Sequence, residues 1–164
     1  MVNGLAAPDG RIFLTRGFLN RKDKGQVTPE ELASVVAHEL GHVALGHSKR
    51  RMIDFTGQNV MFVVLSAVLN RFLPGIGSMI ASAVSTALMA RLSQRDEFEA
   101  DAYATALLIK SGIGAGPQKS LFKKLEALMG FSGSAATAPA WMLSHQKTAD
   151  RIAAIEANEK RWVG

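Results

Sequence analysis

The sequence predicts a mostly helical α+β domain in which a small N-terminal β-sheet or hairpin precedes a series of helices. Two short extended runs, residues 2–7 and 11–15, flank Pro8-Asp9-Gly10, whose residue types suit a tight turn. From Thr28 onward, apolar residues recur at helical spacing, and the punctuation is that of helix starts and stops. A third observation is a pair of histidines four residues apart, His38 and His42, inside an apolar run that itself reads as helix.

Length and composition bound what such a chain does. At 164 residues it is long enough to bury a core without covalent staples, and nothing in it marks a second domain, so residues 1–164 are expected to form one unit. The absence of cysteine excludes disulfides and thiolate metal sites, leaving His, Asp and Glu as metal-binding groups. The net charge of +5 fits an anionic membrane surface or nucleic acid and equally plain solubility, which the arrangement of the charges favours. No nucleic-acid partner is expected, because basic residues are not interleaved with aromatics and no nucleic-acid motif is present. The largest basic cluster, Lys49-Arg50-Arg51, follows the His38 helix, where cations are expected to complement the carbonyl end of its dipole. No signal peptide is visible, and a strand at the very start suggests a domain truncated or minimal at its N-terminus.

Along the chain, the polar run Asn20 to Gln26 is expected to be a surface loop. Thr28-Pro29-Glu30-Glu31 is a strong helix start, with a Thr cap, Pro at the first helical position and Glu closing a capping box. Leu32, Val35, Val36, Glu39, His42 and Val43 are predicted to share the buried face of that helix, and Gly41 to mark close approach of another backbone. Val60 to Ala90 is strongly apolar, broken by Asn70-Arg71 and by Pro74, Gly75 and Gly77. Two helices packed as a hairpin over the core, or dipping into a bilayer surface, fit it better than a true membrane span.

Ser93-Gln94-Arg95-Asp96 reads as the cap of a further helix ending near Ser111-Gly112, and Gly114 to Pro117 as a linker. Lys119 to Met129 is predicted to be amphipathic, with Leu121, Phe122, Leu125, Leu128 and Met129 facing the core. Gly130 to Ala140 is a loop and candidate lid, and Ser144 is expected to cap a last helix that carries Arg151, Ile152 and Ile155.

The chemistry centres on His38-Glu39-Leu40-Gly41-His42. Two imidazoles on one helix face can hold Zn²⁺, which lowers the pKa of a bound water, and an adjacent carboxylate can take that water's proton. A third ligand is required. A third histidine six residues past His42 would define one class, but that position is Ser48, and Leu45 stands where that class has glycine. His47 is expected to be structural or on the surface. The other class takes a glutamate from a second helix, and Glu97 with Asp101 is the obvious pair: Glu97 could reach the metal while Asp101 accepts a hydrogen bond from the far nitrogen of a ligand histidine.

These pieces resemble a known family, the HtpX, CAAX prenyl endopeptidase and BepA-like zinc metallopeptidases, metallopeptidase family forty-eight, of the gluzincin type. The resemblance rests on Asn3 to Leu19, Glu31 to His47 around HELGH, Ser93 to Ala104 around Glu-x-x-x-Asp, and Ser144 to Ile155 around a histidine followed six residues later by Arg-Ile. Gly4-Leu5 and Gln146 depart from the family's usual Ala-Phe and Pro. The resemblance implies a zincin-like fold built on an HExxH active-site helix, one Zn²⁺ held by His38, His42 and Glu97, and Glu39 as general base and acid. It further implies Asp101 behind a ligand, His145 polarising the scissile carbonyl or capping the metal at rest, and Arg151 bracing the acidic helix.

The expected activity is zinc-dependent endoproteolysis, acting in quality control on unfolded or membrane polypeptides. A membrane-surface contact through Val60 to Ala90 and a cell-envelope location, periplasmic or membrane-associated, are expected with it. The alternatives are a metal-stabilised, chaperone-like binding module without catalysis, and a latent protease.

Overall fold

A computed structural model describes residues 4–7, 9–23, 26–130 and 148–163. Contacts divide the chain into two compact units, residues 1–45 with 97–164, and residues 46–96. Strands β1 (Gly4–Ala6) and β2 (Ile12–Leu14) form the antiparallel hairpin, with Leu5 opposite Phe13. Its turn is closed by the Gly10 N–H donating to Ala7 O at 3.0 Å. Helix α1 (Arg16–Asp23) follows at once, so the first half of the expected Asn20–Gln26 loop is helical. Leu, Arg and Lys are good helix formers, and a polar stretch forms a helix as readily as a loop when no Gly or Pro interrupts it.

Helix α2 (Pro29–Ala44) starts where the capping box predicts. The Thr28 N–H donates to Glu31 Oε2 at 2.9 Å, and the Glu31 N–H donates to Thr28 Oγ1 at 3.1 Å. Glu31 also accepts from Ser120 and Lys124 of a later helix. Burial opposes its charge, but these donors prevail and hold the carboxyl below the usual range. The buried stripe of α2 is rotated from the expected one: Glu31, Ser34, Ala37, His38, Gly41 and His42 are buried with Glu39, whereas Leu32, Val35, Val36 and Val43 are half-buried. Small and site-forming residues occupy the tightest contact, and the branched side chains flank it.

Gly46, with φ of +67°, breaks the chain after α2, and α3 (His47–Phe72) begins beyond it. Lys49-Arg50-Arg51 therefore lies at the start of a new helix, the end its dipole disfavours for cations, and not at the carbonyl end of α2. Arg50 and Arg51 are instead paired with the buried Asp96, at 3.2 and 3.1 Å. His47 is buried, with its Nε2 3.9 Å from the same carboxylate.

Helix α4 (Gly77–Lys110) runs unbroken through Ser93, so no helix starts there. A Ser-x-x-acid pattern caps a helix only where the chain turns, and no Gly or Pro near Ser93 turns it. The end at Ser111-Gly112 is as expected, closed by Ile113 N–H to Leu108 O and Gly112 N–H to Ile109 O, both 3.0 Å.

Residues 47–90 form an antiparallel helical pair, in contact at the Arg50/Arg51–Asp96 end and again where Gly77 meets the backbone of Leu69 and Asn70. Of the two expectations for Val60–Ala90, burial over a core is not what the side chains show, while a bilayer-surface contact is left open: Val60, Val63, Val64, Val68 and Phe72 are each more than half exposed, as are Ile53 and Phe55 before them. Helix α3 is long and apolar enough to cross a membrane by length and composition.

Helix α5 (Gly116–Gly130) takes in the second half of the expected linker, with Pro117 tolerated in its first turn, and α6 (Thr148–Val163) completes the chain. The core of the larger unit is made of small clusters: Val27 with Leu121, Ala37 with Ala104 and Leu108, and Ala115 with Phe122 and Ile155. Between them sit buried charged groups. The expected lid, Ser144 and His145 lie outside the described residues.

Candidate metal centre

The candidate residues come from three elements of the larger unit: His38, Glu39 and His42 from α2, Glu97 and Asp101 from α4, and Arg151 from α6. What lets α4 approach α2 is Gly41. A Cβ at that position would lie 2.9 Å from the carbonyl oxygen of Ala100 and 3.0 Å from its Cα, and Ala100 stands between Glu97 and Asp101. Alanine favours a helix over glycine by about 1 kcal/mol. Here the contact is backbone and cannot yield, so overpacking of roughly 1–3 kcal/mol outweighs that gain. Gly41→Ala is expected to lower the melting temperature and weaken metal binding together, which thermal unfolding with and without added metal measures.

His38, His42 and Glu97 are all buried, and one ligand atom from each lies within 4.8 Å of the others. The two Nε2 atoms of the histidines face each other at 3.1 Å, with Glu97 oxygens 3.3 Å from His38 Nε2 and 3.4 Å from His42 Nε2. His38 Nδ1 sits 2.9 Å from Asp101 Oδ1, which fixes its proton on that side and turns a lone pair on Nε2 toward His42 and Glu97. Lone pairs and a carboxylate converging in a buried space require a positive charge between them. Burial opposes charge on His38, but Asp101 and Glu97 outweigh it and push the imidazole up to about 9, so without a metal a proton on the ring supplies that positive charge, and a metal ion would displace it from Nε2. The donor set, two imidazoles and a carboxylate, thus fits a divalent metal.

Asp101 is held in turn. Arg151 donates to both its oxygens, Nε to Oδ2 at 2.6 Å and Nη2 to Oδ1 at 2.8 Å. Burial raises the Asp101 pKa, and the guanidinium beside it overcomes this and keeps the carboxyl ionised well below its usual range. Arg151 is 2% exposed, lies over the Phe122 ring at 4.5 Å, and reaches Glu97 Oε2 at 3.5 Å. Glu39 is buried on the α2 side of the group, against the hairpin: a Cβ at Gly4 would stand 3.2 Å from Glu39 Oε1.

Three contributors escape sequence reasoning. Gln118 of α5, 2% exposed, directs its amide at Asp101, and Thr105 contacts Gln118. A single glutamine at a helix start carries no pattern that marks it. A Cβ at Gly4 would press on Val35 Cγ1 at 3.0 Å and Glu39 Oε1 at 3.2 Å, and that neighbourhood is visible only in the folded chain.

Comparison with known proteins agrees with this geometry. A sequence profile of Peptidase family M48 matches residues 2–159. The chain belongs to that family. The M48 chain is 32% identical over 127 residues to metalloprotease LoiP of Escherichia coli, covering 77% of this chain and 48% of that protein. It is 30% identical over 129 residues to metalloprotease YcaL of the same species, covering 79% of this chain and 49% of that protein. It is 27% identical over 130 residues to mitochondrial metalloendopeptidase OMA1 of Arabidopsis thaliana, covering 79% and 25%. It thus spans about half the length, or less, of the curated relatives it matches. No significant match among solved structures is found. M48 membership implies a metal ion, and the resemblance to metallopeptidase family forty-eight is confirmed.

Proposed function

We propose that this M48 chain is a zinc-dependent metalloendopeptidase domain. His38, His42 and Glu97 hold one Zn²⁺, and Glu39 serves as general base and acid. The observation that carries this reading is the convergence of His38 Nε2, His42 Nε2 and Glu97 on one buried point, with Glu39 on the next residue of the same helix. A bound zinc supplies Lewis acidity, making a water acidic near neutral pH and polarising a peptide carbonyl. Glu39 accepts the proton of that water and passes it to the leaving amine nitrogen. Asp101 holds the His38 ring in one tautomer, and Arg151 neutralises Asp101 so that both stay in place. His145 donates a hydrogen bond to the carbonyl oxygen as negative charge develops there. Substrate lies extended along β1, the strand against Glu39, and adds its main chain to the sheet.

Polypeptide cleavage of this kind suits a role in quality control of unfolded or membrane proteins. Degradation of casein that stops with a chelator and returns with zinc is the expected result. Casein binding without cleavage would replace the protease reading with that of a binding module.

The apolar helical pair makes a membrane surface the natural neighbour of this domain, and a cell-envelope location follows from it. Exposed apolar side chains surround most of α3, from Ile53 and Phe55 through Val63, Val64 and Val68, so a surface that wets all sides at once, such as lipid, matches it better than a one-sided protein interface. At its base Lys49, with Arg50 and Arg51 whose two charges the single Asp96 carboxylate only partly offsets, leaves net positive charge that complements anionic headgroups. The chain is expected to sediment with vesicles containing anionic lipid. Val64→Asp, which places a carboxylate costing roughly 2.5–3.5 kcal/mol in hydrocarbon, is expected to reduce binding about a hundredfold. Equal sedimentation of the variant would dismiss the membrane contact and leave the protease reading intact.

A further inference from the structure

Asp101 does not touch the proposed metal, yet four N–H groups from three other helices meet its two oxygens. His38 Nδ1 and Arg151 Nη2 reach Oδ1 at 2.9 and 2.8 Å, and Arg151 Nε reaches Oδ2 at 2.6 Å. The fourth is Gln118 Nε2, 3.3 Å from Oδ1 and 3.4 Å from the Asp101 carbonyl oxygen. Three of the four converge on Oδ1 and one reaches Oδ2, so Oδ1 is surrounded by donors from three helices. Both ends orient the Gln118 amide: its NH₂ faces the Asp101 oxygens, and the single Thr105 hydroxyl hydrogen is shared between Gln118 Oε1 at 3.0 Å and Asp101 O at 2.8 Å. With the amide reversed, a carbonyl oxygen would face the Asp101 carboxylate; as it stands, a hydroxyl faces the carbonyl and the NH₂ faces the carboxylate.

We propose that Gln118, oriented by Thr105, is a positioning residue for the metal site: it locks the Asp101 carboxylate, and through it directs His38 Nε2 at the metal. Arg151 alone does not do this. Its fork aligns the carboxylate within the plane of the guanidinium, whereas Gln118 approaches from α5 and ties the side-chain oxygen and the main-chain carbonyl of the same residue together. Thr105, Gln118 and Asp101 are 0%, 2% and 1% exposed, so water does not substitute for a lost donor without opening the site. Glutamate at position 118 would not serve, because it would bring a second carboxylate against the first.

The inference rests on His38 being a ligand and goes beyond it by assigning a role to a residue of α5. The test is zinc affinity, measured on the full chain by competition with a chelator of known affinity, in wild type, Gln118→Met and Leu121→Ala. Methionine keeps the length and bulk of glutamine without its donor. Leu121, buried in the neighbouring cluster, supplies a variant that loses stability without touching Asp101. The expected result is zinc bound roughly tenfold more weakly by Gln118→Met, the lower end of what loss of a partner behind a ligand costs. The visible spectrum of the cobalt-substituted protein should change with it, and Leu121→Ala should melt earlier with zinc affinity unchanged. Unchanged affinity in Gln118→Met, or an equal fall in Leu121→Ala, overturns the assignment. A wild-type chain that binds no zinc overturns the metal reading beneath it.

Discussion

Replacing Glu39 by glutamine is expected to reduce peptide hydrolysis by roughly a hundred- to ten-thousand-fold while leaving metal bound at one ion per chain. The amide has the same shape as the carboxylate, so α2 and the packing of Gly4 against position 39 are preserved. What is lost is the ability to take a proton from water and return it to the amine. The three proposed ligands, His38, His42 and Glu97, are unaltered, which separates this outcome from unfolding or metal loss. Turnover of a fluorogenic peptide together with metal content measures both halves. Retained proteolysis would mean that the base is another group and that the burial of Glu39 beside the two histidines serves structure alone.

Glu97→Ala is expected to abolish stoichiometric metal binding. Two imidazoles on one helix turn hold a divalent ion weakly, and the carboxylate supplies both the third bond and charge compensation in a buried space. The variant also leaves Arg151 Nη1, without a hydrogen bond among the described residues, lacking the ion-pair contact it makes at 3.5 Å. Arg151 keeps its pair with Asp101, but Glu97 also offsets buried positive charge on His38 and Arg151, so the metal-free variant should melt earlier than the metal-free wild type. Dialysis against zinc followed by elemental analysis checks the first effect and calorimetry the second. Full metal occupancy in Glu97→Ala would remove this residue from the ligand set and redirect attention to the segment containing His145.

Much of the candidate metal centre was legible in the sequence because helical geometry is local. The spacing of His38 and His42, and of Glu97 and Asp101, fixes which side chains share a face once each stretch is a helix. Gly41 advertised its role for the same reason: a glycine in the middle of a helix calls for a compensating contact, and Ala100 supplies it. The capping box at Thr28 was readable because its two hydrogen bonds close within four residues.

Readings that needed long-range information went differently. Ser93 looked like a cap because its local pattern is that of a cap, yet nothing there ends the preceding helix, and α4 continues through it. Lys49-Arg50-Arg51 was attributed to the wrong helix end, since the break at Gly46 depends on a left-handed backbone that the residue permits but does not require. The apolar Val60–Ala90 stretch reads identically whether buried in protein or left bare, and only the folded chain shows its side chains exposed. Gln118 and Thr105 could not be found from sequence, because each becomes meaningful only when α5 is laid against α4. Arg151 entered through family resemblance, and its bidentate grip on Asp101 supplies the physical reason for an arginine there.

The central claim is that one divalent metal is held by two imidazole nitrogens and one carboxylate at His38, His42 and Glu97. X-ray absorption at the zinc edge on the zinc-loaded chain tests it most directly. The account predicts one zinc per chain, with two imidazole nitrogens at about 2.0–2.1 Å and oxygen ligands at about 2.0–2.2 Å, and with the imidazole signal lost in His38→Ala. A spectrum of oxygen ligands alone, or one unchanged in His38→Ala, would contradict it.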